Sequence, residues 1–140
     1  MKNIHKLAAI DIGSNAVRLL ITSIRINKSD TKFKKISLVR VPLRLGEDVF
    51  SKGKISDKKL KKLQKTLKAF KILMQMHEVY MFKAVATSAM REAENSTKII
   101  EDIFKKLNIK IDLISGKKEA LMIANVFLNL SLIHISEPTR

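Results

Sequence analysis

The sequence predicts an α/β domain built on a mixed five-stranded sheet, with its elements in the order βββαβαβα over 140 residues. Three observations predict it. Apolar, β-branched runs flank the polar turn Gly13-Ser14-Asn15, and a third such run follows, so the chain opens with consecutive antiparallel strands. Two later segments carry apolar residues at helical spacing, and each leads into a further strand. Those crossovers are long enough for parallel pairing.

Composition bounds what such a domain can be. A chain of this length buries roughly two thirds of its unfolded surface in one core. Hydrophobic residues make up 46% and charged residues 29%, an ordinary globular balance that argues against disorder. Cysteine is absent, which excludes a disulfide framework, thiol catalysis and a cysteine zinc site, and suits a reducing cytoplasm. The basic start Met1 to Lys6 is followed by Asp11 and Arg18, which interrupt any signal-peptide or spanning apolar run. The expectation is a cytoplasmic protein, not secreted and not in a membrane. The formal net charge of +15 suits an anionic partner, and equally a lysine-rich surface kept for solubility. Nucleic acid is not expected, because the lysines lie in helices, aromatic residues for base stacking are almost absent and no nucleic-acid motif is visible.

The first strand, around Ala8 to Ile12, is apolar on nearly every residue, as expected when both its faces are covered. A charged residue at its end is then costly without a task, and Asp11 is that residue. Gly13 can take positive φ, and Ser14 and Asn15 tolerate turn geometry, so the tip can aim several N–H groups at an anion. An ordinary hairpin with a polar turn fits the same local chemistry equally well. The second strand runs from Ala16 to Ile26. Its alternation puts Ala16 and Arg18 on one face, where the arginine can lean toward whatever the turn holds or lie on the surface. Phe33 to Pro42 supplies the third strand, and the glycine-bracketed stretch Arg44 to Ile55 reads as loops, with Glu47 facing either the cleft or solvent.

Ser56 caps a helix over Asp57 to about Met76, whose apolar stripe is Leu60, Leu63, Leu67, Phe70 and Met74 and whose opposite face is lysine. Such a basic amphipathic helix more often packs on a sheet with its lysines in water than binds a membrane. Glu78 to Ala86 returns to strand character and runs into Thr87, Ser88 and a short helix, placing hydroxyls at the carboxyl edge of the sheet where anions bind readily. Ser96 caps a helix through Leu107, with Ile99, Ile100, Ile103, Phe104 and Leu107 apolar, and Asn108 suits a left-handed stop. Ile109 to Ile114 alternates as a strand, and a last helix begins near Lys117 with Glu119 in its first turn, where the helix dipole favours a carboxylate.

Four blocks in order carry a resemblance: Ile10-Asp11-Ile12-Gly13-Ser14-Asn15-x-x-Arg18-Leu19; Arg44-Leu45-Gly46-Glu47; Ala84-Val85-Ala86-Thr87-Ser88-Ala89-Met90-Arg91-Glu92-Ala93-x-Asn95; and Ile114-Ser115-Gly116-x-x-Glu119-Ala120. From about Leu7 to Ile123 the chain resembles the Ppx/GppA family of exopolyphosphatases and guanosine pentaphosphate phosphohydrolases. The resemblance implies a ribonuclease-H-like half-domain of the actin, sugar kinase and heat-shock ATPase superfamily. It implies a hydrolase acting on terminal phosphoanhydride bonds of inorganic polyphosphate or guanosine pentaphosphate. Within it, Gly13, Ser14 and Asn15 hold phosphates, Arg18 and Arg91 offset their charge, Glu119 is the general base on the attacking water, and Asp11 helps hold Mg2+ through water. It leaves room for a homodimer of the full-length protein.

The departures from the family pattern are Ala16, where a hydroxyl residue is usual, and Lys117-Lys118, where acidic residues are common. The family's second glycine-rich loop, of Asp-Ile-Gly-Gly-Gly-Ser type, is not in this sequence. The expectation is an N-terminal phosphatase domain over residues 1–130, weak in phosphate binding and nearly inactive alone, followed by a foreign or truncated tail over residues 131–140. A non-catalytic polyanion-binding domain, and an ATPase or kinase of the same superfamily, are the other readings open at this point.

Overall fold

The computed structural model describes residues 4–26 and 30–115. In chain order the elements are β1 (Ile4–Ile12), β2 (Val17–Ile26), β3 (Thr31–Val41), α1 (Leu45–Lys52), α2 (Asp57–Met76), β4 (Met81–Ala86), α3 (Ser88–Glu92), α4 (Ser96–Leu107) and β5 (Ile111–Leu113). The strands form one mixed sheet in the order β3-β2-β1-β4-β5. The β1–β2 and β2–β3 pairs are antiparallel, while β4 joins β1 and β5 joins β4 in parallel, as the long crossovers require.

Period-two alternation along β1 divides the core. Ala8, Ile10 and Ile12 face the helices with Val17, Leu19 and Ile21 of β2, and meet Leu63, Leu67 and Phe70 of α2 and Ile99 and Ile103 of α4. Leu7 and Ala9 point to the other face, in a smaller cluster with Ile24, Leu20 and Met81. The expected burial of β1 on both faces is therefore observed. β3 forms the outer edge, and Lys32, Lys34 and Lys35 there discourage pairing with another chain. Opposite Ile21 and Thr22 the partners step from Ser37 to Lys35, leaving Ile36 as an extra residue in a bulge.

Ser56 caps α2 as expected, its hydroxyl accepting from the Lys59 amide at 3.3 Å. Asn108 takes the left-handed stop of α4 with φ 56°. Three local expectations are corrected. α4 begins one residue earlier than a Ser96 cap allows, with Asn95 at the capping position. Asn95 caps nothing, because its amide is engaged with Ile55, accepting from the Ile55 N–H at 3.2 Å and donating to its carbonyl at 3.0 Å. Phe104 sits on the solvent flank of α4 and is exposed, the buried stripe being Ile99 and Ile103. The stretch read as loops contains α1, closed by Gly53 at φ 80°, whose N–H bonds the Val49 carbonyl at 2.8 Å. Its two turns bury only Leu45 and Val49 with Gly46, too little for a periodicity to register in the sequence. The helix expected near Lys117 lies outside the described residues.

Candidate active site

The turn between β1 and β2 is tight because the Gly13 N–H bonds the Ala16 carbonyl at 3.0 Å. A Cβ on Gly13 would lie 3.1 Å from that oxygen, so close approach is what calls for glycine; the positive φ that the sequence suggested is not used. Closing the turn consumes the Gly13 amide. The amides of Ser14, Asn15 and Ala16 make no backbone hydrogen bond among the described residues and are free to meet an anion.

The turn is held from below by α1. The Arg44 amide donates to the Asn15 carbonyl and the Gly46 amide to the Ser14 carbonyl, each at 2.9 Å. A Cβ on Gly46 would stand 3.1 Å from the Ser14 Cβ, so only glycine lets the helix approach this closely. Arg44 adopts φ 54°, an uncommon conformation for a residue with a side chain, and its carbonyl accepts from Lys59 Nζ at 2.6 Å. Lys59 also pairs with Asp48 at 3.2 Å, and the Ser56 amide donates to Asp48 at 2.9 Å. The Ser56 side-chain hydrogen bond, assisted by that amide and by Lys59, holds the Asp48 carboxyl at about 2, below its ordinary 3.8. Glu47, left between cleft and solvent by the sequence, is exposed and reaches Lys59 at 3.7 Å. The Arg-Leu-Gly-Glu block is thus the support of the turn.

Register places the charged residues. Asp11 lies opposite Arg18, and Arg18 opposite Arg40, making one row across β1, β2 and β3 on a single face. The Arg18 guanidinium donates to Asp11 Oδ2, with the carboxylate buried and the arginine about half exposed at 47%. Asp11 Oδ1 is buried without a hydrogen-bond partner among the described residues. The opposite wall comes from the start of α3, just past β4, where Ser88 and Ser14 share a hydrogen bond of 2.9 Å across 74 residues of chain. Asp11, the 13–16 turn, Arg18, Arg40, Thr87 and Ser88 together line a cleft of about 400 Å³ at the carboxyl ends of β1 and β4. A larger cavity of about 510 Å³, around His5, Lys6, Glu78 and Tyr80, opens at the opposite sheet edge, away from the turn.

Arg91 lies on α3 at the same sheet edge, three residues beyond Ser88. It is exposed and donates to the Ile114 carbonyl at 3.0 Å, and it does not line the cleft among the described residues. With only five residues, α3 offers hydroxyls and first-turn amides to an anion, and little macrodipole. Glu119 lies outside the described residues. Arg40 escaped the sequence reading: its alternation with Leu38 puts the two on one face of β3, but only the register of β3 against β2 sets it opposite Arg18.

No group of three or more His, Asp or Glu among the described residues could cage a metal. The residues present would suit magnesium only in an outer-sphere manner, with Asp11 as the carboxylate that would hold it through water. The unpartnered Asp11 Oδ1 has the acceptor chemistry for that.

The mixed five-stranded sheet, with bare amides, hydroxyls and a buried carboxylate gathered at the carboxyl ends of β1 and β4, has the fold of the actin-like ATPase superfamily. The model of the Ppx/GppA phosphatase family matches residues 24–132, and the chain belongs to that family. It is similar to exopolyphosphatase 1 of Mycobacterium tuberculosis, with 30% identity over 115 residues, covering 82% of this chain and 33% of that protein. It is also similar to the bifunctional 3-dehydroquinate synthase/phosphatase of Fusobacterium nucleatum, 33% identical over 122 residues, 85% of this chain and 18% of the other. Among solved structures, the Aquifex aeolicus Ppx/GppA family member superposes with a TM-score of 0.75 at 30% identity, covering 83% of this chain and 37% of that one. An exopolyphosphatase from Cytophaga hutchinsonii gives a TM-score of 0.74 at 31% identity, over 83% and 36% of the two chains. The chain spans about a third or less of these proteins.

Proposed function

We propose that this chain is the N-terminal part of a phosphohydrolase that cleaves terminal phosphoanhydride bonds of inorganic polyphosphate or guanosine pentaphosphate. The observation that carries the reading is the meeting of the turn with the start of α3 through Ser14 and Ser88, beside the pair formed by the buried Asp11 and the half-exposed Arg18. In this reading the amides of Ser14 and Asn15 and the hydroxyls of Ser14, Thr87 and Ser88 seat the terminal phosphate. Donors already in place when charge builds on the transferring group are the main source of rate in such chemistry. Arg18 offsets part of that charge while remaining anchored to Asp11. Arg91 approaches the phosphates from α3, and Glu119 orients and deprotonates the attacking water. Magnesium, when bound beside Asp11, neutralises phosphate oxygens.

For the chain by itself the proposal is weak phosphate binding with little or no turnover, because the sequence lacks the second glycine-rich loop that the resemblance implies. The deciding experiment measures phosphate release from polyphosphate by a longer protein carrying this sequence, with and without magnesium. Release that depends on magnesium and drops at least about a hundredfold in Glu119→Gln supports the reading. Release indifferent to that substitution refutes the assigned base.

One observation favours a second reading, a non-catalytic polyanion binder. Lys61, Lys65, Lys68 and Lys106 line a groove of about 260 Å³ between α2 and α4. A binder of that kind loses affinity steeply with salt and ignores Glu119→Gln.

A further inference from the structure

We infer that Arg40 is a specificity-determining residue that holds the second phosphate of a linear oligophosphate, so that the cleft selects a phosphate chain over orthophosphate. The inference rests on the phosphohydrolase reading above and adds a residue and a direction to it. Three observations carry it. Arg40 lines the same cleft as Asp11, the turn, Thr87 and Ser88. It stands in register with Arg18, at the outer end of the row that begins at Asp11. It has no hydrogen-bond or ion-pair partner among the described residues, whereas Arg18 is anchored to Asp11.

Geometry fixes the order of the phosphates. Neighbouring strands are spaced by roughly 4.8 Å, so Arg40 begins about two strand spacings from Asp11 and about one from Arg18. The inner end of the cleft is walled by Thr87, Ser88 and the turn, where the donors for a terminal phosphate are gathered. A chain seated there continues outward along the row, toward the edge strand. The first uncommitted cation it meets is Arg40, whose planar fork matches two oxygens of one phosphate. Orthophosphate has no second phosphate and gains nothing from this contact. Because Arg40 is exposed and has no partner among the described residues, replacing it is expected to leave the fold intact.

The test is calorimetric titration of a longer protein carrying this sequence with orthophosphate and with tripolyphosphate, for the wild type, R40Q and Ser14→Val. R40Q is expected to weaken tripolyphosphate about fivefold, as for loss of one charge-assisted contact at an exposed site, and to leave orthophosphate unchanged. Ser14→Val, which removes the hydroxyl shared with Ser88, is expected to weaken both ligands. If R40Q is silent, or weakens both ligands by one factor, while Ser14→Val weakens both, the Arg40 assignment alone is overturned. If the wild type binds neither ligand, or binds them with Ser14→Val silent, the phosphohydrolase reading falls and takes this inference with it.

Discussion

Replacing Arg18 with methionine isolates the interaction on which the site is built. The substitution keeps a long apolar stem on β2 but strips Asp11 of its counter-charge, and Asp11 Oδ1 is already without a partner. Removing one member of a fully buried ion pair costs about 3–5 kcal/mol, because the other charge is left in a poor solvent. Here the carboxylate is buried but the guanidinium is 47% exposed, so water screens the pair and about half that figure applies, about 2 kcal/mol. In urea denaturation the midpoint should fall accordingly, with the slope unchanged. The sharper readout is a double-mutant cycle. Asp11→Asn removes the charge that Arg18 serves, so Arg18→Met on that background should cost about 0.5 kcal/mol or less, leaving a coupling of about 1.5 kcal/mol. Additive costs would refute the argument that Arg18 is placed to neutralise Asp11.

Other expectations concern the support of the turn and the core. The depressed Asp48 carboxyl stays charged in the fold after its unfolded counterpart has taken up a proton. Its contribution is therefore complete above about pH 5 and lost as pH falls toward about 2, and Asp48→Asn should flatten that limb of a stability–pH curve. Gly46→Ala should change the unfolding free energy from urea denaturation by no more than about 1 kcal/mol, since helix propensity improves and the exposed Phe50 ring can swing away. It should nonetheless weaken phosphate binding, because Ser14 can yield only by moving the turn; unchanged affinity would show that this contact does not set the turn. Leu67→Ala, fully buried between α2 and the sheet, should lower stability by about 3 kcal/mol in the same denaturation experiment.

Much of the architecture is legible in the sequence because it follows from local rules. The hairpin around Gly13, the cap at Ser56, the stripe of Leu63, Leu67, Phe70 and Met74, and the stop at Asn108 all depend on neighbours within a few residues. The alternation that buries both faces of β1 is likewise written in consecutive letters. The errors are local features overruled by partners far along the chain. Asn95 and Ser96 look alike as caps until Ile55, forty residues earlier, claims the Asn95 amide. Two turns of α1 carry too few buried residues to declare themselves.

By itself, then, the sequence determined the order of the strands and of the two long helices, the parallel crossovers and the polar turn at the end of an apolar strand, since burial pattern and backbone preference are properties of short windows. Only the tertiary structure decided that α1 props the turn, that Ser88 meets Ser14, and that Asp11, Arg18 and Arg40 stand in one row. Those arrangements depend on strand register and on contacts between distant segments, which are set when the sheet and its helices close on a shared core.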